Sequence, residues 1–258
     1  MLKKLMKYEF KSTLRYLLPL YTTFLIITCI SKILLCLTSY EARLSFIPVL
    51  LNMIFYILFI GFIVSTFFSQ IIRYYGSMVT DEAYITFSLP VDVKRLTGAK
   101  LITAVVNNCI SISLGILGMV IMSFTLDEAQ NKIRAMKVQI QYMADSLNIN
   151  IVLLVCIVVV MMVITFATYN LFIYTAIAIG QSFQGNKLVG TFFAGMVMYM
   201  SMMIVLIPVF LIINGLYSKR GTGSVTSFIM VCIGLLIGFN ILFFKIIDYL
   251  FTNKLNLD

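Results

Sequence analysis

Apolar residues along this chain gather into six long runs separated by short polar segments: Tyr16–Leu37, Phe46–Ile72, Leu101–Phe124, Ile151–Ile179, Leu188–Leu216 and Val225–Leu250. A helix crossing a bilayer needs about 20 apolar residues at 1.5 Å rise each. Every run meets that length, and the longer ones predict tilting or protrusion beyond the lipid. Ahead of the first run, Leu2, Met6 and Phe10 fall on one side of a helical wheel. Lys3, Lys7, Lys11 and Arg15 fall on another at i, i+4 spacing. The pattern predicts an amphipathic helix over 1–15, lying in the headgroup layer before the chain turns into the bilayer.

The longest polar stretch, 125–150, separates the third and fourth runs. Its apolar positions Leu126, Ala129, Ile133, Met136, Ile140, Met143 and Leu147 alternate in spacings of 3 and 4, a heptad seam. As one helix the stretch would be about 36 Å long. So narrow a seam is marginal alone and calls for pairing with a second copy or a related chain, in an extracellular, hairpin-like projection. The other expectation is a helix lying on the outer leaflet. The fold class expected is an all-α integral membrane protein, a single domain of 258 residues.

Composition agrees: 61% of the residues are hydrophobic and 11% charged, against about half and a quarter in soluble domains. Histidine is absent, which removes Ser-His-Asp triads, imidazole-bound metals and histidine proton relays. No metal ligand set and no catalytic residue is expected. Cys29, Cys36, Cys109, Cys156 and Cys232 all lie within apolar runs without CxxC spacing, so they read as small buried hydrophobes.

The net charge of +9 reflects membrane topology and anionic headgroups, with no nucleic acid partner implied. With the N-terminus inside, 12 basic residues fall in inner segments and 6 in outer ones, which predicts that both termini are cytoplasmic. The first apolar run is longer than a signal-peptide core and no small-residue cleavage site follows, so it reads as a retained span.

One polar island stands out between the second and third runs, Gly76-Ser-Met-Val-Thr-Asp-Glu-Ala-Tyr-Ile-Thr-Phe-Ser-Leu-Pro-Val91. Thr80 is suited to cap a helix, and Asp81 and Glu82 in its first turn complement the helix dipole. Tyr84 and Phe87 then share a face, and Pro90 closes the element by disfavouring helix at Leu89. Asp92 can cap the next helix, where Lys94, Arg95 and Lys100 mark re-entry into the membrane. The expectation is a short helix parallel to the membrane, presenting aromatic and acidic groups to the cytoplasm.

This island resembles the loop between the second and third spans of ABC transporter permeases of the type-2 exporter class, especially those of low-GC Gram-positive bacteria. Their pattern is similar to S/T-D-E-G-Y-L-T-F-x-L-P-V, and the present chain departs from it at Ala83, where glycine is usual. Weaker resemblances lie in Ile179-Gly-Gln-Ser-Phe183 and in the C-terminal Thr252-Asn-Lys-Leu-Asn-Leu-Asp258. The resemblance implies that 76–91 is a coupling helix seated in a groove of a separate cytoplasmic ATPase. Thr80, Asp81, Glu82, Tyr84, Phe87 and Pro90 would form or frame the contact. It further implies a bacterial plasma-membrane assembly of two permeases and two ATPase subunits, with ATP and magnesium held by the ATPase and no cofactor on this chain. Members resembling it include exporters of lantibiotics and of amphipathic cytolytic peptides such as phenol-soluble modulins, so peptide is the cargo expected.

The nearest approach to a phosphate loop, Gly180-Gln-Ser-Phe-Gln-Gly-Asn-Lys187, carries asparagine where glycine should precede lysine. Within the runs, Lys32 reads as a snorkelling residue and Lys245 with Asp248 as an interfacial ion pair. Asn52, Asn107, Asn108, Asn170, Asn214 and Asn240 read as interhelical hydrogen-bonding groups. Gly234 and Gly238 would allow close helix approach, and Pro48 and Pro208 would kink the second and fifth spans. The methionines of the fifth span, Met196 to Met203, read as lipid-facing or core. No fixed polar site for a hydrophilic solute is evident, which favours an amphipathic cargo. Two other classes fit six spans: an ATP-independent scaffold or sensor whose outer helix binds a partner, and the substrate-capture subunit of a vitamin importer.

Overall fold

The computed structural model describes residues 2–38, 46–80, 82–88, 91–123, 126–146, 149–183, 186–220 and 224–253, and these residues form eight α-helices with no strand among them. In chain order they are α1 (Leu2–Thr38), α2 (Phe46–Met78), α3 (Glu82–Ser88), α4 (Val93–Ser123), α5 (Leu126–Ser146), α6 (Ile151–Gln181), α7 (Lys187–Arg220) and α8 (Ser224–Asn253). Six of them, all but α3 and α5, are long and apolar enough to cross a membrane. The protein is an all-α, multi-pass membrane protein.

Burial is inverted relative to a water-soluble fold. Ile57, Val152, Phe192 and Ile204 lie outward, whereas Thr66, Asn107, Asn108 and Thr175 are almost wholly enclosed. In lipid, outward apolar side chains cost nothing, while polar groups must find partners inside. The cysteines follow the same rule: none is buried, and Cys29, Cys36 and Cys156 are exposed. Reading them as core residues is therefore corrected, since an apolar medium makes no demand that a small hydrophobe be hidden.

The chain packs as two units. The first, 1–73 with 106–136, joins α1, most of α2 and the second half of α4. Its core is Leu17, Tyr21 and Phe24 of α1, Phe55 and Phe62 of α2, and Met122 of α4. Phe24 stacks on Phe62 with ring centroids 4.2 Å apart, and Tyr21 meets the edge of Phe62 at 5.9 Å. Two glycines of α4 make room for these rings. A Cβ on Gly115 would stand 2.6 Å from Phe59 Cε2, and one on Gly118 would stand 3.0 Å from Phe24 Cε1.

The segment expected to turn into the bilayer after Arg15 continues without a break, and α1 is one helix of 37 residues with Pro19 inside it. No glycine or proline interrupts Leu2 to Leu18, so nothing in the local chemistry ends the helix there. Lys32 also differs from expectation. Its ammonium donates to the main-chain carbonyl of Met122 at 3.1 Å, near the last turn of α4, where a cation suits the negative end of the helix. Pro48 stands in the first turn of α2, where a missing N–H leaves no bond broken, so it does not interrupt the span. Pro208 does lie inside its helix, α7.

The second unit, 74–105 with 137–258, holds the end of α2, α3, the start of α4 and the bundle of α6, α7 and α8. Its tightest contact is at the α6–α7 turn, where a Cβ on Gly180 would fall 2.6 Å from the main-chain nitrogen of Thr191. By contrast, Gly234 and Gly238 of α8 have nothing within 4 Å in this sense. Asn240 donates to Thr168 Oγ1 at 2.9 Å, tying α8 to α6. Asn170 instead bonds its own helix at Phe166 O, 2.8 Å away, and Asn52 is exposed. Helix α5 is a single element of 21 residues.

Candidate functional site

The polar island folds as a helix end, a turn and a helix start. Helix α2 closes at Met78, and the Val79 amide bonds Tyr75 O at 3.0 Å. Thr80, expected to cap the short helix with its side chain, instead turns its hydroxyl back onto Gly76 O. Its carbonyl accepts the Ala83 amide at 2.7 Å and so opens the next turn. Helix α3 has seven residues, with Glu82 in its first turn. Asp81 and Pro90 lie outside the described residues. Asp92 then caps α4: its carbonyl accepts the amides of Arg95 and Leu96 at 3.0 and 3.2 Å, and its carboxylate meets Arg95 Nε at 3.5 Å.

The two aromatics of α3 have different surroundings. Tyr84 is 55% exposed, while Phe87 is half-buried with its ring 5.8 Å from that of Phe251 in α8. Ala83, at 0% exposure, is the point where α3 sits closest to the unit. A glycine there would leave that contact emptier and the helix weaker by about 1 kcal/mol. Lys94 Nζ lies 3.5 Å from Asp248 Oδ2, so α4 and α8 are joined beside α3. Asp248 therefore pairs across helices with Lys94 and not along its own helix with Lys245 as expected.

In the same unit Tyr74, Ser77 and Met78 of α2 and Leu96, Ala99 and Lys100 of α4 are all buried. Lys100 Nζ donates to Ser77 Oγ at 2.8 Å, so this lysine points into the unit and not toward headgroups. Tyr74 stacks on Tyr174 of α6, centroids 3.5 Å apart and planes 5° off parallel. The resulting site is a short helix with one exposed aromatic and one exposed acid, held on its inner side by Phe251 and flanked by a lysine–aspartate bridge. Such a surface offers a small, reversible contact to another protein.

The heptad positions Leu126, Ala129, Ile133, Met136, Ile140 and Met143 share α5, while Leu147 lies outside the described residues. Ile133, Met136, Ile140 and Met143 are all exposed, as are Val138 and Tyr142. Among the described side chains of the seam, these four stand outward.

A second polar constellation was only half visible in the sequence. Within the first unit, Tyr21, Gln70, Asn107, Asn108 and Ser111 converge from α1, α2 and α4. Asn107 and Asn108 had been singled out as hydrogen-bonding residues, but Tyr21 and Gln70 carry no local mark. Only the packing of α1 and α2 on α4 brings them together, and it gives the membrane interior the fixed polar cluster that the sequence did not show.

Gly180 and Gln181 close α6 and Lys187 opens α7, with the Ser182 amide on Ile179 O at 2.9 Å. The stretch resembling a phosphate loop thus holds the end of α6 and the start of α7. No group of three or more potential metal ligands occurs among the described residues. No family model, curated protein or solved structure matches this chain.

Proposed function

We propose that this chain is the membrane subunit of an ATP-driven exporter of the type-2 ABC class, with α3 as its coupling helix. The observation that carries the reading is the division of labour on α3: Tyr84 faces outward beside Glu82, while Phe87 is packed on Phe251. An outward aromatic supplies a docking contact, and an inward one passes force from the docked partner to α8. The Lys94–Asp248 bridge carries the same displacement to α4. The resemblance of 76–91 to exporter loops supports the same assignment.

On this reading a separate cytoplasmic ATPase, in two copies, binds ATP and magnesium and closes against α3. Two permeases, identical or related, form the path in a bacterial plasma membrane with both termini inside. The cargo is an amphipathic peptide, a toxin or bacteriocin that is exported or cleared from the membrane. The chain itself performs no chemistry.

Co-purification tests it. The chain is expressed with the ATPase encoded beside it and purified in detergent, with Tyr84→Ala alongside. Co-elution of the ATPase with the natural chain and its loss from the variant is the expected result. Failure of the natural chain to retain the ATPase overturns the reading. It would leave the ATP-independent scaffold, which the uncovered seam of α5 favours.

A further inference from the structure

The cluster formed by Gln70, Asn107 and Asn108 is a puzzle in hydrogen-bond terms. Gln70 Nε2 donates to Asn108 Oδ1 at 2.7 Å. Ser111 Oγ donates to the main-chain carbonyl of Asn107 at 2.9 Å. Tyr21 OH lies 2.9 Å from Ser111 Oγ and 3.2 Å from the same carbonyl. Those bonds use one end of two carboxamides and neither end of the third. Gln70 Oε1, Asn107 Oδ1, Asn107 Nδ2 and Asn108 Nδ2 are all buried without a hydrogen-bonding partner among the described residues. All three residues are at least nine-tenths enclosed: 4%, 0% and 2% exposed.

Buried amide groups rarely go unpaired, and the penalty rises in a membrane interior, where no bulk water substitutes. Four such atoms in one cluster therefore point to an occupant, and three features define it. It is small, because the chain's own side chains already cover these atoms and exclude a docking protein. It both donates and accepts, because two oxygens and two NH2 groups are open. It is neutral, because no carboxylate, ammonium or guanidinium bonds to the cluster to balance a charge, and two free oxygens fall far short of what a hard cation takes.

We propose that this carboxamide cluster is an intramembrane water-binding site, holding on the order of one to two ordered water molecules, each with the two to four polar partners such waters require. These waters join α2 to α4 through exchangeable bonds, beside the Tyr21 hydroxyl of α1, which already bonds Ser111 and the Asn107 carbonyl. The inference does not depend on the exporter reading.

The experiment uses the natural chain in lipid bilayers, with nitrogen-15 in its asparagine and glutamine side chains and in leucine main chains. Magnetisation transfer from water is followed by solid-state NMR. The side-chain amides of Asn107 and Asn108 should receive it at least about fivefold faster than the main-chain amide of Leu17, which sits in the dry core. Transfer as slow as at Leu17 overturns the proposal. A second measurement uses alkylation by a small maleimide, which needs a thiolate and hence water. In a chain whose five native cysteines are replaced, Asn107→Cys should react about tenfold faster than Leu17→Cys. Equal rates would again overturn it.

Discussion

Phe87 of α3 and Phe251 of α8 lie with ring centroids 5.8 Å apart and planes inclined by 36°. This contact fixes a seven-residue helix that could not stand alone in water. Phe87→Ala and Phe251→Ala should each lower thermal stability, and a double-mutant cycle should give a coupling of about 0.5–1.5 kcal/mol. Tyr84→Ala should change stability by less than about 0.5 kcal/mol and, in the exporter reading, reduce retention of the ATPase. Unfolding midpoints and co-purification yields, read on the same samples, separate anchor from docking residue.

Glycines at two places should respond in opposite senses. A methyl at Gly180 meets the Thr191 backbone, which cannot move aside as a side chain could. Gly180→Ala is expected to cost about 1–3 kcal/mol and to loosen α7 from α6. Gly234→Ala meets nothing within 4 Å and should be neutral or stabilising by about 0.5–1 kcal/mol. Thermal unfolding of the two variants in one detergent checks the contrast. Equal losses would mean that Gly234 is packed against something other than this chain's described residues.

Tyr74 gives a third test. Its ring stacks on Tyr174, but its buried hydroxyl has no hydrogen-bonding partner among the described residues. Tyr74→Phe keeps the stack and removes the orphaned group, so stability should hold or rise by about 1 kcal/mol. Tyr74→Ala loses the ring and should fall by about 3–5 kcal/mol. The order of the three melting midpoints is the readout.

Lys32 is expected to be structural. Replacing it by methionine removes the bond to Met122 O at a cost of about 1 kcal/mol, and in the exporter reading it leaves export per folded chain unchanged. Export abolished at unchanged stability would instead place Lys32 on the cargo path.

The α5 seam makes a prediction about copies. In the exporter reading it pairs with the same helix of a second chain, so Met136→Cys should cross-link to a dimer under mild oxidation, whereas Arg134→Cys should do so far less. No dimer at either position would place α5 against the headgroups.

Much of the fold could be read directly from the sequence because one physical demand dominates. About 20 apolar residues in a row have few other uses, and the observed spans begin and end close to the apolar runs, as at Phe46 and Ile151. The helices overshoot where polar flanks are still good helix formers, as in α4, which starts at Val93 and not at Leu101. The island at 76–91 was also legible, since acids, a turn and a proline punctuate it. What each of its residues touches was not. Phe87 and Tyr84 look equivalent three positions apart, and only the arrival of Phe251, over 160 residues later, distinguishes them. Lys94 with Asp248, and Tyr21 with Gln70 and Asn107, are likewise long-range pairs that no local period announces. Gly115 and Gly118 gave no signal either, because their role is to be absent where Phe59 and Phe24 need space.

The unbroken first helix has a mechanical consequence. Its 37 residues amount to about 55 Å of helix, well beyond the roughly 30 Å of a bilayer's hydrocarbon, so part of it has to stand outside the lipid or tilt within it. Pro19 lies between the lysines of its first three turns and the aromatics Tyr21 and Phe24. A proline inside a helix removes one main-chain bond and bends it, so this residue stands as a joint between the charged end of the helix and its ring stack.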